Sequence, residues 1–408
     1  MKHKIFVVLT VLLCAVLFQS AVMADENAAA YLKAYYDIDF KGSSVSTDEF
    51  NAALNAMDTE PVEAETLTLS DAVVGAVRLA KMEELALAYA GKAAGILADE
   101  EIRVDEKYAP YAAIALELDL VDDDEDFNGP VSALTAAEML YHAAEISGKG
   151  RHFIGRISDD DILSELQSAM SSALIFDDEI LSEAGIEILL SEATTGYSMK
   201  YAGNDARFLE ENTVRYSHDD PLHILQLAAL LKAENIDAYV QVEPKVSVYE
   251  YLPEWGDPGE PSPKYAVHEM VEGRFFAFAL EIDVVFEFDS TADKGKFHEL
   301  VEAYANKYDD CFDADGNLIK PLLINSFWQP LYYSSSSAGM ENEVFKQVTD
   351  NVISFEGDSY SLHSISLEEN SDAVAEAAAR IDSDLKVVPV TVTVNPSFYS
   401  YLTGEDHQ

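Results

Sequence analysis

The chain reads as an α+β multidomain protein: an all-α N-terminal domain, then an α+β domain, then a small β-α-β C-terminal extension. Three observations predict this. From Asn27 to Ser147 the apolar residues recur with helical spacing, in short amphipathic segments joined by acidic or glycine-containing loops. From Tyr216 to Pro244 an apolar helix turns through a short corner into an alternating strand. From Val352 to Val394 strand, alanine-rich helix and strand follow one another. The expected boundaries are 1–24 for a leader, 25–155 for the helical domain, 156–337 for the α+β domain and 338–408 for the extension.

The leader comes first. Lys2 and Lys4 precede an apolar run from Ile5 to Phe18, and small residues end at Ala24. That is the pattern of a secretory signal peptide cleaved after Ala24. The expected location is secreted or cell-surface, on a bacterial cell, with no transmembrane segment left after cleavage. Beyond the leader Cys311 is the lone cysteine, so no intramolecular disulfide forms. Such cysteine poverty fits an exported bacterial protein. Acidic residues number 75 against 26 basic ones, a formal charge of −49, so nucleic acid and anionic membranes are excluded as partners. With 49% of residues hydrophobic and 10% aromatic, the chain has the material for sizeable cores.

Within the helical region two weakly similar units appear. The first carries Leu67-Thr68-Leu69-Ser70-Asp71-Ala72 and a helix through about Ala80. The second opens at Tyr108-Ala109-Pro110-Tyr111, passes the acidic loop Asp122 to Phe127, and continues with Leu134-Thr135-Ala136-Ala137-Glu138. Thr135 is the expected cap, with Glu138 three residues on as its capping-box partner. The second unit resembles an S-layer homology repeat, in which the second helix is introduced by Ile-Thr-Arg-Ala-Glu. That resemblance implies attachment to cell-wall polymer. The arginine that helps hold glycan in the family falls on Ala136 here, and on Leu69 in the first unit. In the acidic loop, Asp122, Asp124 and Asp126 are candidate calcium ligands or a solvated turn.

Further helices are expected over Asp178 to Glu192 and Asp205 to Arg215. In the central stretch Asp220 caps a helix whose first turn holds Pro221, and Leu227, Ala228, Leu230 and Leu231 form its buried stripe. Ile236, Ala238, Val240 and Val242 then alternate with polar or amphipathic residues, as in a half-exposed strand. A loop rich in proline and glycine over 252–263 separates this strand from two more, Tyr265 to Val271 and Phe275 to Phe288. A helix over Ala292 to Tyr304 follows. Asp315-Gly316 reads as a tight hairpin turn, because neither glycine nor glutamate stands where a calcium-binding loop needs it.

The helix and corner, with Ala228-Ala229-Leu230-Leu231-Lys232-Ala233 and Asn235-Ile236-Asp237-Ala238, resemble the catalytic core of the transglutaminase-like (papain-related) family. The resemblance spans Asp205 to Thr291. It implies a nucleophilic cysteine at the helix start, a histidine on the next strand and an aspartate at the end of the one after. Here Asp220 stands at the cysteine position, Phe276 or Ala277 at the histidine position, and Asp289 at the aspartate position. The triad is degenerate, with Asp220 and Asp289 left and no catalytic residue assigned.

Two other groups carry candidate chemistry. His218, Asp219, Asp220 and His223 are either metal ligands or a polar helix start. Trp255, Trp328 and Tyr332 are either a platform for sugars and peptides or part of a core. The expected function is a non-catalytic, exported attachment or interaction protein, its partners cell-wall polymer or other surface proteins. The alternative is a metal-dependent or atypical hydrolase or acyl transferase acting on extracellular peptide or glycan. No cofactor is expected unless calcium serves.

Overall fold

In the second half of the chain, the two longest strands carry apolar residues on one face and charged residues on the other, and both faces are largely buried. Along one strand Ile282, Val284, Phe286 and Phe288 alternate with Glu281, Asp283 and Glu287, and Asp283 is 0% exposed. A closed sheet with cover on its outside buries both rows. The computed structural model describes residues 28–218, 220–252, 256–305, 311–320 and 330–404, so the leader lies outside the described residues. The chain divides into two compact units, Met1–Arg151 and His152–Gln408.

The elements described in the first unit are helices: α1 (28–36), α2 (Thr47–Ala56), α3 (Leu69–Leu79), α4 (Glu83–Asp99), α5 (Ala109–Glu117) and α6 (Ala133–Ser147). Ser46 with Glu49 and Thr68 with Asp71 form capping boxes that satisfy orphan amides at the starts of α2 and α3. Helix α6 begins earlier than its sequence motif suggests. Its cap is Ser132, whose Oγ accepts from the Thr135 amide at 2.9 Å, while Thr135 turns its hydroxyl to Glu125. The core gathers where α3 packs against α5 and α6, with Val73, Ala76, Ala113, Met139 and Leu140 buried.

The second unit holds β1 (Gly155–Arg156), α7 (Ile162–Ser172), α8 (Glu179–Leu190), β2 (Gly196–Tyr201), β3 (Thr213–His218), α9 (Pro221–Ala233), β4 (Ala238–Tyr251), β5 (Tyr265–Val271), β6 (Arg274–Phe288) and α10 (Thr291–Ala305). It continues with β7 (Leu331–Ser334), β8 (Lys346–Ser354), β9 (Tyr360–Ser366), α11 (Ser371–Ile381), β10 (Lys386–Val394) and α12 (Pro396–Thr403). Hydrogen bonds run round the ring β4-β2-β9-β8-β10-β7-β3-β6 and back to β4, every pairing antiparallel. This is a closed eight-stranded antiparallel barrel.

The barrel overturns the expected fold class. What reads as an α+β domain plus a β-α-β extension is one barrel, to which β8, β9 and β10 contribute three staves. The helix expected over Asp205 to Arg215 is instead a single 3-10 turn, Glu210–Asn212, running into β3. The apolar outer face of the barrel is covered in two patches. Helices α7, α9 and α10 pack over Val214, Tyr216, Val240, Val242, Val284 and Phe286. Helices α8 and α11 cover Met199, Val248, Phe276, Ile353 and Leu362. No helix among the described residues is long and apolar enough to cross a membrane.

One glycine is fixed by this packing. Gly339, between β7 and β8, has φ +73°, and a Cβ there would lie 2.4 Å from the Thr291 carbonyl oxygen at the start of α10. Both the left-handed backbone and the contact exclude a side chain. Gly339→Ala is therefore expected to destabilise the barrel by about 2–3 kcal/mol in urea unfolding. An unchanged midpoint would contradict the packing of α10 on this loop.

Candidate functional site

The inward face of the barrel carries its chemistry. Odd-numbered residues of β4 point inward, so Glu243, Lys245, Ser247 and Tyr249 share the lumen with Ser217 of β3, Asp283 of β6, Lys200 of β2 and Tyr333 of β7. The Asp283 carboxylate sits at the centre. Its Oδ2 accepts from Lys200 Nζ at 2.7 Å, and its Oδ1 lies 2.8 Å from Lys245 Nζ and accepts from Ser217 Oγ at 2.5 Å. Lys245 also donates to Ser217 Oγ at 2.8 Å, and Lys200 donates to the Tyr333 hydroxyl at 3.0 Å. Burial by itself would push the Asp283 carboxyl up, but the two ammonium groups hold it far below the usual carboxylate range. Both lysines are likewise held above their ordinary value against the effect of burial.

Glu243 meets the same cations differently. Lys200 lies 3.7 Å away and Arg215 3.9 Å, and one amide, that of Ala206, donates at 2.9 Å. Here burial wins and the carboxyl is raised. Arg215 gives its better geometry to Glu210, with two parallel bonds of 2.8 and 2.9 Å. Below this layer Ala206 and Phe208 pack beside Val285, and a second cavity of about 290 Å³ borders Lys200, Arg215, Glu243 and Tyr333.

Above the layer lies a cavity of about 380 Å³. Its floor is Lys245 and Ser217, and its walls include Ser247, Glu281, Tyr249, Tyr251, Tyr265 and Tyr333. Helix α12 closes the far side with Phe398, Tyr401 and Leu402. Asn395 seats that helix: its Oδ1 accepts from the Phe398 amide and its Nδ2 donates to the Pro330 carbonyl at 2.9 Å. Tyr401 donates to the Glu250 carbonyl at 3.2 Å, and burial pushes its phenol up.

Set beside known proteins, the chain matches no family model, no curated protein and no solved structure.

The histidines of the central stretch stand at the rim of this mouth, which His218 lines. Their rings converge, with His218 Nε2 and His223 Nδ1 3.0 Å apart. The Asp220 amide donates to His218 Nδ1 at 2.9 Å, so that nitrogen bears no proton and the neutral ring carries it on Nε2, donating to His223. Asp220 caps α9 through the Leu222 amide at 2.8 Å. Asp219 lies outside the described residues. Among the described residues no three His, Cys, Asp or Glu side chains converge as a metal site.

The other sequence candidates are dispersed. Asp289 does not orient a histidine; it pairs with Arg156 at 2.5 Å, and Arg156 also holds Asp237 at 2.8 Å. Phe276 and Ala277 are buried, with Phe276 in the core beneath α8 and α11. Tyr332 is 1% exposed on the outer face of the barrel, edge-on to Phe297 and bonded to His298, and belongs to the core. Trp255 and Trp328 lie outside the described residues. Asp122, Asp124 and Asp126 are exposed, and Asp126 Oδ1 accepts from the Asn128 amide as in a turn. Cys311 is buried and unbonded to any other sulfur.

The lumen residues Lys200, Lys245, Asp283 and Ser247 have no counterpart among the sequence candidates. A signal was present: β4 and β6 carry charges at alternate positions inside strongly apolar runs. Pairing Lys245 opposite Glu281 and Glu243 opposite Asp283 requires the register, which the sequence does not display.

Asp283→Asn leaves two buried ammonium groups with a neutral partner and is expected to cost about 3–5 kcal/mol in urea unfolding. The acid limb checks the same lock. The contribution of Asp283 is complete above the unfolded carboxylate pKa of about 3.9 and is lost as pH falls through the depressed folded value. Between pH 4 and pH 2 the parent's stability should therefore fall more steeply than that of the Asn variant. Parallel curves would contradict the ion lock.

Proposed function

We propose that the chain is an exported bacterial surface protein that binds its ligand without transforming it. The barrel mouth holds a small unit of the cell-wall polymer, and the helical unit adds attachment to that polymer or to other surface proteins. The observation that carries the reading is the saturated floor of the mouth. The donors and acceptors of Lys245, Ser217 and Asp283 are engaged with one another, which makes a rigid, charge-matched base suited to holding rather than reacting. An eight-stranded barrel encloses room for side chains or for one small ligand, and this lumen has both. The leader pattern supports export, and the likeness of residues 108–141 to an S-layer homology repeat supports attachment. Ala136 at the glycan-holding arginine position means that attachment uses other groups of that unit.

One observation favours the alternative hydrolase: His218, bonded to His223, lines the same mouth. A single experiment separates the two. Purified full chain is mixed with a cell-wall fraction, with and without calcium, alongside Ser247→Trp, which fills the mouth, and His218→Gln. Retention of the parent, competed by soluble wall fragments and weakened about tenfold in Ser247→Trp, is expected. No retention in either condition overturns the proposal. New reducing ends or free amines released by the parent, and not by His218→Gln, would establish the hydrolase instead.

A further inference from the structure

Resting on that binding reading, we infer that the ligand of the barrel mouth is a neutral saccharide of one or two rings. Four features select it. The cavity, about 380 Å³, lies within the range of small-molecule sites and near its lower end.

Charge comes second. Lys245 Nζ stands 3.6 Å from Glu281 Oε2, and the Asp283 charge is taken up by Lys200 and Lys245. His218 has both ring nitrogens engaged, and His363 is turned to Asp350 at 2.8 Å. A charged ligand would enter a low-dielectric space whose own charges are already matched, and would lack a partner there. A neutral ligand meets no such barrier.

The third feature is Ser247. It is 3% exposed, lies on the inward row of β4 and lines the cavity, and its hydroxyl has no hydrogen-bond partner. A buried hydroxyl without a partner is unfavourable, and its place is a point where a ligand can supply the missing bond. A hydrocarbon ligand would leave it orphaned. A sugar hydroxyl both donates and accepts, so it can meet Ser247 and the Glu281 carboxylate together.

Finally, Tyr249, Tyr251, Tyr265 and Tyr333 line the same space. Aromatic faces pack against the C–H faces of a pyranose, while phenol edges reach its hydroxyls. Flat apolar walls with a few fixed polar points match a sugar ring better than an extended peptide, whose backbone needs a row of partners.

The test is calorimetric titration of the full chain with glucose, N-acetylglucosamine and their β-1,4 disaccharides, with glucosamine and glucuronic acid as charged counterparts. At least one neutral sugar should bind about tenfold tighter than its charged counterpart. Ser247→Ala should weaken that sugar about tenfold, while the ligand-free variant is as stable as the parent or more so, since it removes an orphaned hydroxyl. That combination separates a ligand contact from a structural one. Affinity unchanged in Ser247→Ala would show that water alone serves the hydroxyl, and would overturn the assignment. No response to any neutral sugar, or tighter binding of a charged one, also overturns it. If the chain is still retained on the wall fraction in either of those cases, the binding reading survives; if retention fails too, both fall.

Discussion

Asp283, held between two lysines inside a closed barrel, is the interaction on which the second unit depends. Where helices cover its outside, the barrel leaves neither face of its staves in water. Every polar side chain in the inward row must then find its partner within the lumen or carry an unmet desolvation cost. Asp283 meets that demand with two ammonium groups and a hydroxyl. Its position at mid-lumen ties β2, β3, β4 and β6 together across the ring. Glu243, one strand over, shows the contrast: its cations stand nearly 4 Å away, and burial prevails.

The same layer divides the lumen into parts with different work. Beneath it, Phe208 packs on Val285, Glu243 and Glu287 accept backbone amides of the entering segment, and a smaller cavity borders Lys200 and Arg215. Above it, tyrosines and one orphaned serine hydroxyl surround open space under α12. The ion layer is thus both the structural lock and the floor of the mouth. Rigidity there follows from the mutual engagement of Asp283, Lys200, Lys245 and Ser217.

Much of the local structure was legible. The helix from Pro221 and its cap Asp220, the strands of β4, β5 and β6, the turn at Asp315-Gly316, helices α8, α10 and α11, and the final turn at Phe398 follow from spacing and caps. The start of α6 was displaced, because Ser132 and Thr135 are both capable caps three residues apart and tertiary packing selects the earlier one. The segment 205–215 departs from the helix its sequence predicts for a related reason: its glutamates suit a helix, but Arg215 and Thr213 are drawn into β3. The site was barely legible. Among the described residues, His218 alone of the sequence candidates reaches the mouth, while Asp289 serves Arg156 and Tyr332 serves the core.

The sequence by itself determined the periodicities of most of the helices and of β4, β5 and β6, and which residues of each of those strands share a face. It did not determine which face is inside. In β4 and β6 an apolar row alternates with a charged one, and the ordinary reading places the charged row in water. Tertiary structure reversed this by closing the sheet, so that the apolar row meets helices and the charged row meets itself. The reason is that alternation is a local property of one strand, whereas closure depends on pairing β4 with β6 and β10 with β7 across long stretches of chain. Only that pairing turns scattered charges such as Lys200, Lys245 and Asp283 into one network, and leaves Ser247 facing an open mouth.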